Sequence, residues 1–319
     1  MSLTKVKQLE IARQHSNSRL LKGIKKNKYI YFILIPGLLY YIIFAYGPMY
    51  GLTIAFKDYQ IRSGILGSPW NGIANFQRIF KDFEFYIALK NTLIISFSRI
   101  IIQFPIPIIL ALLLNELKEG VYKKTLQTVM TFPNFLSWVV VSSILVNLLS
   151  SGGAINNLFA IFGMPRQDFL ADSQIFRPLL YATDIWKSAG WGSIIYLAAI
   201  SSISPELYEA ATIDGAGKFQ KIISITWPCI LPTVVVMLIL SVGGVMNAGF
   251  DQIFNLQNPA VRQVSDILDT YIYRITFGTG TDFGFSTGVG LFKSVINFIL
   301  LFSFDKISKA ISGYSNGIF

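Results

Sequence analysis

The chain has 319 residues, of which 53% are hydrophobic and only 14% are charged, and its net charge is +10. About a quarter of the residues of a soluble domain are usually charged, so this composition indicates a polytopic membrane protein. A single cysteine and a single histidine exclude an internal disulfide framework and a metal cluster built from these two residue types.

The positive charge is concentrated in the segment 1–28, which holds eight lysine and arginine residues and one acidic residue. A basic segment beside a membrane span is retained in the cytoplasm and attracts anionic lipid. We therefore interpret it as a cytoplasmic tail at the membrane surface, and this interpretation outweighs a nucleic-acid-binding arm. The apolar run that follows is longer than the h-region of a signal peptide, so we expect it to remain as a membrane span.

Apolar runs of about 20 residues, the length that crosses a bilayer, recur along the rest of the chain. Prolines inside the second and third runs (Pro105, Pro107 and Pro133) predict kinks or breaks. We predict an all-α fold, with a six-helix membrane domain over residues 29–312 and a short cytoplasmic tail over residues 313–319. The six spans are expected near residues 28–50, 91–114, 128–149, 176–200, 222–246 and 289–304.

Six spans place both termini on one side of the membrane, and the basic tail predicts that this side is the cytoplasm. The long segments 51–86 and 247–287 then lie outside the cell, and residues 258–274 have the pattern of an additional helix there. The short links left inside carry a cluster of lysines, namely Lys118, Lys123, Lys124, Lys218 and Lys221.

A polar stretch, residues 204–232, separates the fourth and fifth apolar runs. Ser204 is a good N-cap, and Pro205 suits the first position of a helix. Gly215 and Gly217 favour the end of that helix and a reversal of the chain. The pattern predicts a short helix, a turn and a second helix at the membrane surface, shaped to be held by another protein.

The same stretch resembles the EAA loop of permeases in binding-protein-dependent ABC importers. The matching residues are Glu209-Ala210-Ala211, Asp214-Gly215-Ala216, Phe219, Ile225, Pro228 and Leu231-Pro232. Segments elsewhere resemble the LplB-like branch of this family, the polysaccharide permeases. They include GPMYG (47–51), FPIPIILALLLNE (104–116), DIWKSAGWGSIIYLAAI (184–200) and DTYIYR (269–274).

The resemblance implies the transmembrane domain of an ABC type I importer for an oligosaccharide, in a bacterial plasma membrane. Such a permease pairs with a second, usually different permease and receives its solute from an extracellular binding protein. It docks on two cytoplasmic ATPase subunits, which bind ATP and magnesium, so no cofactor is expected in this chain. Within the loop 204–220, the docking role would fall on Glu209, Ala210, Ala211, Asp214, Gly215 and Ala216.

Charged residues within membrane spans are costly and mark candidate functional positions. Arg99 lies in the second predicted span, and Asp184 and Lys187 lie in the fourth. Sugars bind by stacking on aromatic rings and by hydrogen bonds to polar groups, so these charges and the neighbouring tryptophans suit a glycan path. The candidate pathway residues are Arg99, Asp184, Trp186, Lys187, Trp191, Asn247 and Asp251.

Two alternatives stand beside this interpretation. Asp184 and Lys187 are three residues apart on one helix face, so they could pair with each other and only hold the spans together. Lys293, near the outer end of the sixth span, is interpreted as a residue that extends its side chain to the membrane interface.

Two sequence motifs suggest chemistry but are incomplete. GAGKF (215–219) lacks the upstream glycine and the Ser/Thr of a phosphate-binding loop, so the chain is not expected to bind ATP. GFSTG (284–288) fits a serine hydrolase pattern, but the only histidine, His15, lies in the tail, and the segment is interpreted as a turn into the sixth span. A membrane enzyme is therefore disfavoured.

An ion-coupled secondary transporter of sugars is the alternative function, although such proteins have more spans and internal inverted repeats. The charge of the transported solute is left open by the sequence.

Overall fold

A computed structural model describes residues 26–278 and 281–312, with the backbone alone for 307–312. Most of the predicted basic tail (1–28) and all of the predicted C-terminal tail (313–319) lie outside the described residues. Within the described ranges the chain is helical without a β-strand, and its one strand-type contact is an isolated antiparallel bridge between Lys57 and Trp70. The predicted all-α fold is confirmed.

The described residues form two compact units, of which the first comprises residues 26–54 and 60–68. Its main helix, α1 (Lys28–Tyr41), is exposed along its whole length although it is strongly apolar. A helix of this kind needs lipid or another subunit around it. The chain stays helical through a π-helical turn (Ile42–Tyr46), helix α2 (Gly47–Met49) and a 3₁₀ turn (Tyr50–Phe56). A short helix, α3 (Gly64–Gly67), follows.

The second unit comprises residues 55–59, 69–278 and 281–312. Its helices are α4 (Ala74–Ile79), α5 (Phe83–Gln103), α6 (Pro105–Asn115), α7 (Val121–Thr131), α8 (Trp138–Leu149), α9 (Ala154–Ile161), α10 (Phe176–Ser201), α11 (Pro205–Ile213), α12 (Lys218–Lys221), α13 (Trp227–Gly243), α14 (Phe250–Leu256), α15 (Arg262–Ser265), α16 (Leu268–Phe277) and α17 (Phe283–Ser312). Three further turns are helical, namely the 3₁₀ turns Phe132–Phe135 and Val245–Asn247 and the π turn Ile222–Thr226.

Five helical segments within the described residues are long and apolar enough to cross a membrane: Lys28–Phe56, Phe83–Asn115, Trp138–Ile161, Lys218–Gly243 and Phe283–Lys306. The fourth predicted span, 176–200, coincides with α10, which has 26 residues but is not among these five. The charged residues Arg177, Asp184 and Lys187 make α10 less hydrophobic than the other five segments. The count of six spans and the cytoplasmic position of the termini therefore stay predictions.

Proline interrupts the helices at two predicted places. The second span divides at Phe104, and the α6 segment starts with Pro105 at its first position. The third span is displaced from its predicted range of 128–149, because Pro133 lies in the 3₁₀ turn between α7 and α8. The helix begins again at Trp138, where the Ser137 side chain accepts a hydrogen bond from the Val140 N–H at 3.3 Å.

Helix α17 starts earlier than predicted. The Asp282 carboxylate accepts a hydrogen bond from the Phe285 N–H at 2.9 Å, and this contact stabilises the first turn. Residues 284–288 lie inside the helix, so their interpretation as a turn is wrong. The predicted helix within 258–274 is confirmed in the form of α15 and α16.

Three hydrophobic clusters hold the second unit together. One of them joins α6, α10 and α13, and it lies next to the point where α10 leads into the polar stretch; its buried members are Ile108, Ala111, Tyr196, Ile200, Ile230 and Val234. Helix α10 also approaches α7 closely, because a Cβ atom at Gly190 would clash with the Met130 carbonyl. The end of α10 is therefore fixed by close packing on several sides.

Candidate functional site

The polar stretch folds as a short helix, a turn and a second helix, as its sequence predicts. Helix α11 begins after Ser204, with Pro205 at its first position. It ends in a Schellman motif, in which Gly215 has a φ of +80° and the Ala216 N–H donates to the Ala211 carbonyl at 2.8 Å. Only a residue that tolerates a left-handed conformation fits at Gly215 without strain. We call residues 204–221 the coupling segment.

The coupling segment presents an exposed surface. No residue of α11 is buried, and the predicted docking residues Glu209, Ala210, Asp214 and Gly215 are exposed, with Ala211 and Ala216 half-buried. Apolar side chains stand beside them, since Ile213 is 87% exposed and Phe219 is 74% exposed. Adjacent exposed apolar side chains are typical of a surface that another protein covers. Phe219 is among the residues that carry the resemblance to the EAA loop, whereas no sequence pattern singled out Ile213.

The coupling segment is tied back to the helical unit by polar contacts. The Tyr208 hydroxyl lies 2.9 Å from the Thr226 hydroxyl, and Thr226 is buried. Lys218 forms an ion pair with Glu116, just beyond the end of α6, at 3.2 Å, whereas the bond from Lys221 Nζ to Thr212 Oγ1 at 2.7 Å lies within the coupling segment. The coupling segment is therefore attached next to the start of α13 and next to the end of α6.

A cavity of about 380 Å³ lies among α5, α6, α10 and α13. We call it the Arg99 cavity, because Arg99 contributes its only charged side chain. Its polar lining is formed by Ser96, Arg99, Gln103, Ser188, Trp191, Tyr196 and Ser241.

The Arg99 guanidinium has partners on two other helices. Its Nη1 lies 3.7 Å from Asp184 Oδ2 on α10, and its Nη2 donates to Gln252 Oε1 on α14. Gln252 is fully buried and is oriented by donating to the Leu180 carbonyl at 2.9 Å and to Thr183 Oγ1 at 2.8 Å. Arg99 Nε is buried without a hydrogen-bond partner among the described residues. One donor of a membrane-embedded cation is thus left unsatisfied.

Asp184 and Lys187 do not pair with each other, although their spacing allowed it. Asp184 faces Arg99, whereas Lys187 Nζ donates to the Asn134 carbonyl at 2.9 Å and lies 5.6 Å from the centre of the Trp138 ring. The structure therefore contradicts the alternative in which these two residues satisfy each other.

The two candidate tryptophans differ in their surroundings. Trp191 lines the Arg99 cavity and makes an edge-to-face contact with Phe135, with ring centres 5.6 Å apart. Trp186 is exposed and lies outside that lining. Of the residues predicted for the pathway, Arg99, Asp184 and Trp191 are brought together, and Trp186 is not.

A second cavity, of about 530 Å³, lies between α14, α16 and the start of α8. We call it the Tyr273 cavity. It includes the remaining candidates Asn247 and Asp251, together with Trp138, Gly249, Phe250, Asp269, Ile272, Tyr273, Thr276 and Phe277. Gly249 borders both cavities.

Lys293 contacts two residues that line the Tyr273 cavity, and its interpretation as a residue at the membrane interface stays a prediction. Its Nζ forms an ion pair with Asp269 at 2.6 Å and donates to Asn247 Oδ1 at 3.1 Å. Asn247 and Asp269 are therefore engaged by the protein's own lysine. Sequence spacing contained no signal for this contact, because Lys293 and Asp269 lie on different helices.

A family model described as binding-protein-dependent transport system inner membrane component matches residues 103–313 of the chain. The chain is 43% identical over 300 residues to the polygalacturonan/rhamnogalacturonan transport system permease protein YteP of Bacillus subtilis, an alignment that covers 94% of the chain and 93% of the relative. It is also 43% identical over 288 residues to the protein LplB of the same organism, with 90% of each covered.

Solved structures extend this similarity to the fold. A bacterial ABC transporter involved in the import of the acidic polysaccharide alginate contains a chain that superimposes with a TM-score of 0.85 and 39% identity, covering 92% of this chain and 99% of that one. A bacterial alginate ABC transporter in complex with an alginate pentasaccharide-bound periplasmic protein gives a TM-score of 0.85 at 38% identity, with 94% and 99% covered. The described helices thus have the arrangement of a type I importer permease.

Proposed function

Because the chain belongs to the family of binding-protein-dependent transport system inner membrane components, we propose that it forms, with a second permease, the path by which an acidic oligosaccharide is imported. The chain is an integral membrane permease of an ABC importer. The class of solute, an acidic oligosaccharide, and the kinds of partner subunit are the parts of this function that we propose.

The observation that carries the choice of solute is the Arg99 guanidinium in the lining of a cavity otherwise rich in hydroxyl groups. Its contact with Asp184 at 3.7 Å is longer than a hydrogen bond, so the Nη1 group keeps hydrogen-bonding capacity. Arg99 and Lys187 together outnumber Asp184 by one positive charge. A planar guanidinium suits a carboxylate, so a uronate residue of the solute would bind at Nη1.

The similar proteins support the same class of solute. The names of two of them refer to polygalacturonan with rhamnogalacturonan and to alginate, and the second is described as an acidic polysaccharide. A neutral sugar would leave the cation in the Arg99 cavity without a charged partner from the solute. We therefore assign a carboxylate-bearing glycan to this chain in preference to a neutral or an amino glycan.

The solute preference can be tested by transport. The complete transporter, with its binding protein, is reconstituted in proteoliposomes, and ATP-dependent uptake of pentagalacturonate is compared with that of maltopentaose. We expect the acidic sugar to be taken up at least about tenfold faster, and Arg99→Gln to remove most of this preference. Arg99→Lys keeps the charge and is expected to retain more of it, which separates loss of charge from loss of folding. Equal uptake of the two sugars by the wild-type protein would contradict the proposal.

The coupling segment is the proposed docking site for a cytoplasmic ATPase subunit. Glu209 offers a carboxylate to a basic residue of the partner, and the exposed Ile213 and Phe219 offer apolar contact area. ATP and magnesium would be held by two such ATPase subunits, because the phosphate-loop motif of this chain is incomplete. An extracellular solute-binding protein would deliver the solute, and no role for nucleic acid is proposed.

Docking can be tested by reversing one charge. We expect Glu209→Lys to abolish co-purification of the ATPase subunits with the permease and to reduce solute-stimulated ATP hydrolysis by at least about tenfold. Glu206→Lys is the matched control, since Glu206 is an exposed acid in the first turn of the same helix. The docking assignment would be abandoned if both variants kept the ATPase and its stimulation. Solute uptake driven by an ion gradient without ATPase subunits would instead favour the secondary transporter.

A further inference from the structure

We infer that the Tyr273 cavity is a second sugar-binding subsite, in which aromatic side chains stack on a pyranose ring and Asp251 accepts hydrogen bonds from its hydroxyl groups. The inference rests on the proposed function, because it concerns another part of the same solute. It assigns a ligand to a cavity that is separate from the Arg99 cavity.

The aromatic wall of this cavity is organised around Tyr273. The centre of its ring lies 4.6 Å from that of Phe254, 5.1 Å from that of Phe277 and 6.3 Å from that of Phe250. Tyr273 nevertheless remains 43% exposed, so part of its surface is open to the cavity. The C–H groups on the face of a pyranose ring pack well on such rings, and a ring already held by its neighbours loses little entropy on binding.

Helix α16, which carries Tyr273, is itself held rigidly. Arg274 bridges Asp266 and Glu84, each at 2.7 Å, and the Tyr271 hydroxyl donates to Asp82 Oδ2 at 2.7 Å. Burial and then this hydrogen bond raise the pKa of Tyr271 above its usual range, so the hydroxyl stays a donor. These contacts fix α16 against the start of α5 and make the cavity a preformed site.

The polar groups of the cavity differ in their availability. Asp269 and Asn247 are engaged by Lys293, and the Thr276 hydroxyl donates to the Ile272 carbonyl at 2.7 Å. The Asp251 carboxylate is exposed and makes no hydrogen bond within the described part of the chain. It is the acceptor left for a ligand, and a carboxylate can accept several hydroxyl groups. An aromatic wall with one free acceptor suits the hydroxyl-bearing part of a sugar residue, whose own carboxylate would point away from Asp251.

The position of the two cavities suits one extended solute. Gly249, with a φ of +78°, borders both, and a side chain at this position would clash with the Arg99 guanidinium. A single turn of backbone therefore separates a cationic cavity from an aromatic one. A carboxylate of one sugar residue can lie at Arg99 while another residue of the same oligosaccharide stacks on Tyr273.

The test measures direct binding of pentagalacturonate to the purified complex of permeases and ATPases in nanodiscs, without the solute-binding protein. We expect Tyr273→Leu to raise the Kd at least about tenfold, because the aromatic face is lost while the apolar volume is kept. Tyr273→Phe keeps the ring and is expected to stay within about twofold, and Asp251→Ala to raise the Kd about fivefold. The control is Phe298→Leu, which removes an exposed aromatic ring of α17 that stacks on Phe302 outside both cavities.

An unchanged Kd in Tyr273→Leu, with binding still weakened in Arg99→Gln, would overturn the subsite and leave the proposed function standing. A Tyr273→Leu variant that binds the sugar normally but loses affinity for the solute-binding protein would also overturn it, since the cavity would then be a protein contact. If the wild-type complex binds no pentagalacturonate, the proposed function and the subsite both fail.

Discussion

At the scale of single residues, the contact between Arg99 and Asp184 joins two charged side chains that are largely buried. An unpaired charge in such surroundings is expensive. Removing one partner leaves the other charge without compensation, and this loss exceeds the value of the pair itself. The contact therefore constrains substitutions strongly even if it adds little net stability.

We expect Asp184→Asn to lower the free energy of unfolding by up to about 3 kcal/mol, because Arg99 then remains charged without its counter-ion. The measurement is thermal unfolding of the purified complex. The double variant Arg99→Gln with Asp184→Asn should recover part of the loss, because neither charge remains. Additive losses in the double variant would show that the two residues do not interact.

The partner of Asp184 could not have been predicted from the sequence. Helical spacing indicates which residues share a face of one helix, and it offered Lys187 as a neighbour three positions away. Arg99 is 85 positions earlier and meets Asp184 only because α5 packs beside α10. The sequence did identify both residues as costly within a span, since that conclusion needs composition alone.

At the scale of elements, the coupling segment is the part of the chain that its sequence describes most completely. Its helix starts with Pro205 at the first position and ends in the Schellman motif at Gly215, and both preferences are local properties of these residue types. Ser204 stands at the predicted N-cap position, but its side chain makes no capping hydrogen bond. The third span is the opposite case. Its helix starts at Trp138 because Pro133 lies in the preceding 3₁₀ turn and Ser137 caps the new helix. An average of hydropathy along the sequence detects neither a helix break nor a helix cap.

We expect Gly215→Ala to weaken coupling without unfolding the protein. A Cβ at a φ of +80° costs about 1 kcal/mol, and the strain would unwind the end of α11, where Asp214 and Gly215 are exposed. The measurement is solute-stimulated ATP hydrolysis, which should fall while the thermal unfolding temperature drops by no more than about 4 °C. Gly217→Ala is the matched control, because Gly217 has an extended backbone with a φ of −71° and open space around its Cβ position. Equal effects of the two variants would rule out the backbone explanation.

At the scale of the whole molecule, charge and apolarity together determine how the chain lies in the membrane. The excess of basic residues falls in the segment 1–28, and the described helices provide five clearly apolar spans and one, α10, that is long but charged. If α10 also crosses, the number of spans is even and both termini share the cytoplasmic side. The orientation is therefore a prediction that depends on α10.

Labelling of single cysteines can determine the orientation, since Cys229 is the only native cysteine and can be replaced by serine. We expect a cysteine at Ser202 to react with a membrane-impermeant maleimide only after the cells are opened, and a cysteine at Ser63 to react in intact cells. Ser63 and Ser202 are both exposed in the structure, so their different labelling would report the side of the membrane. Labelling of both positions from the same side would contradict six spans.

The length of helix α10 determines how far a movement at one of its ends would displace the other. It carries Asp184 and Trp191 along its length, and its last turn leads into α11 without an intervening loop of more than three residues. At about 1.5 Å per residue, Asp184 stands roughly 25 Å along the axis from Ser201. If α10 moved as a straight rod, a tilt of about 10° would shift its far end by roughly 4 Å. Under the proposed docking, a movement of that size would separate Asp184 from Arg99, but it would also have to break the close packing of α10 on α7 at Gly190.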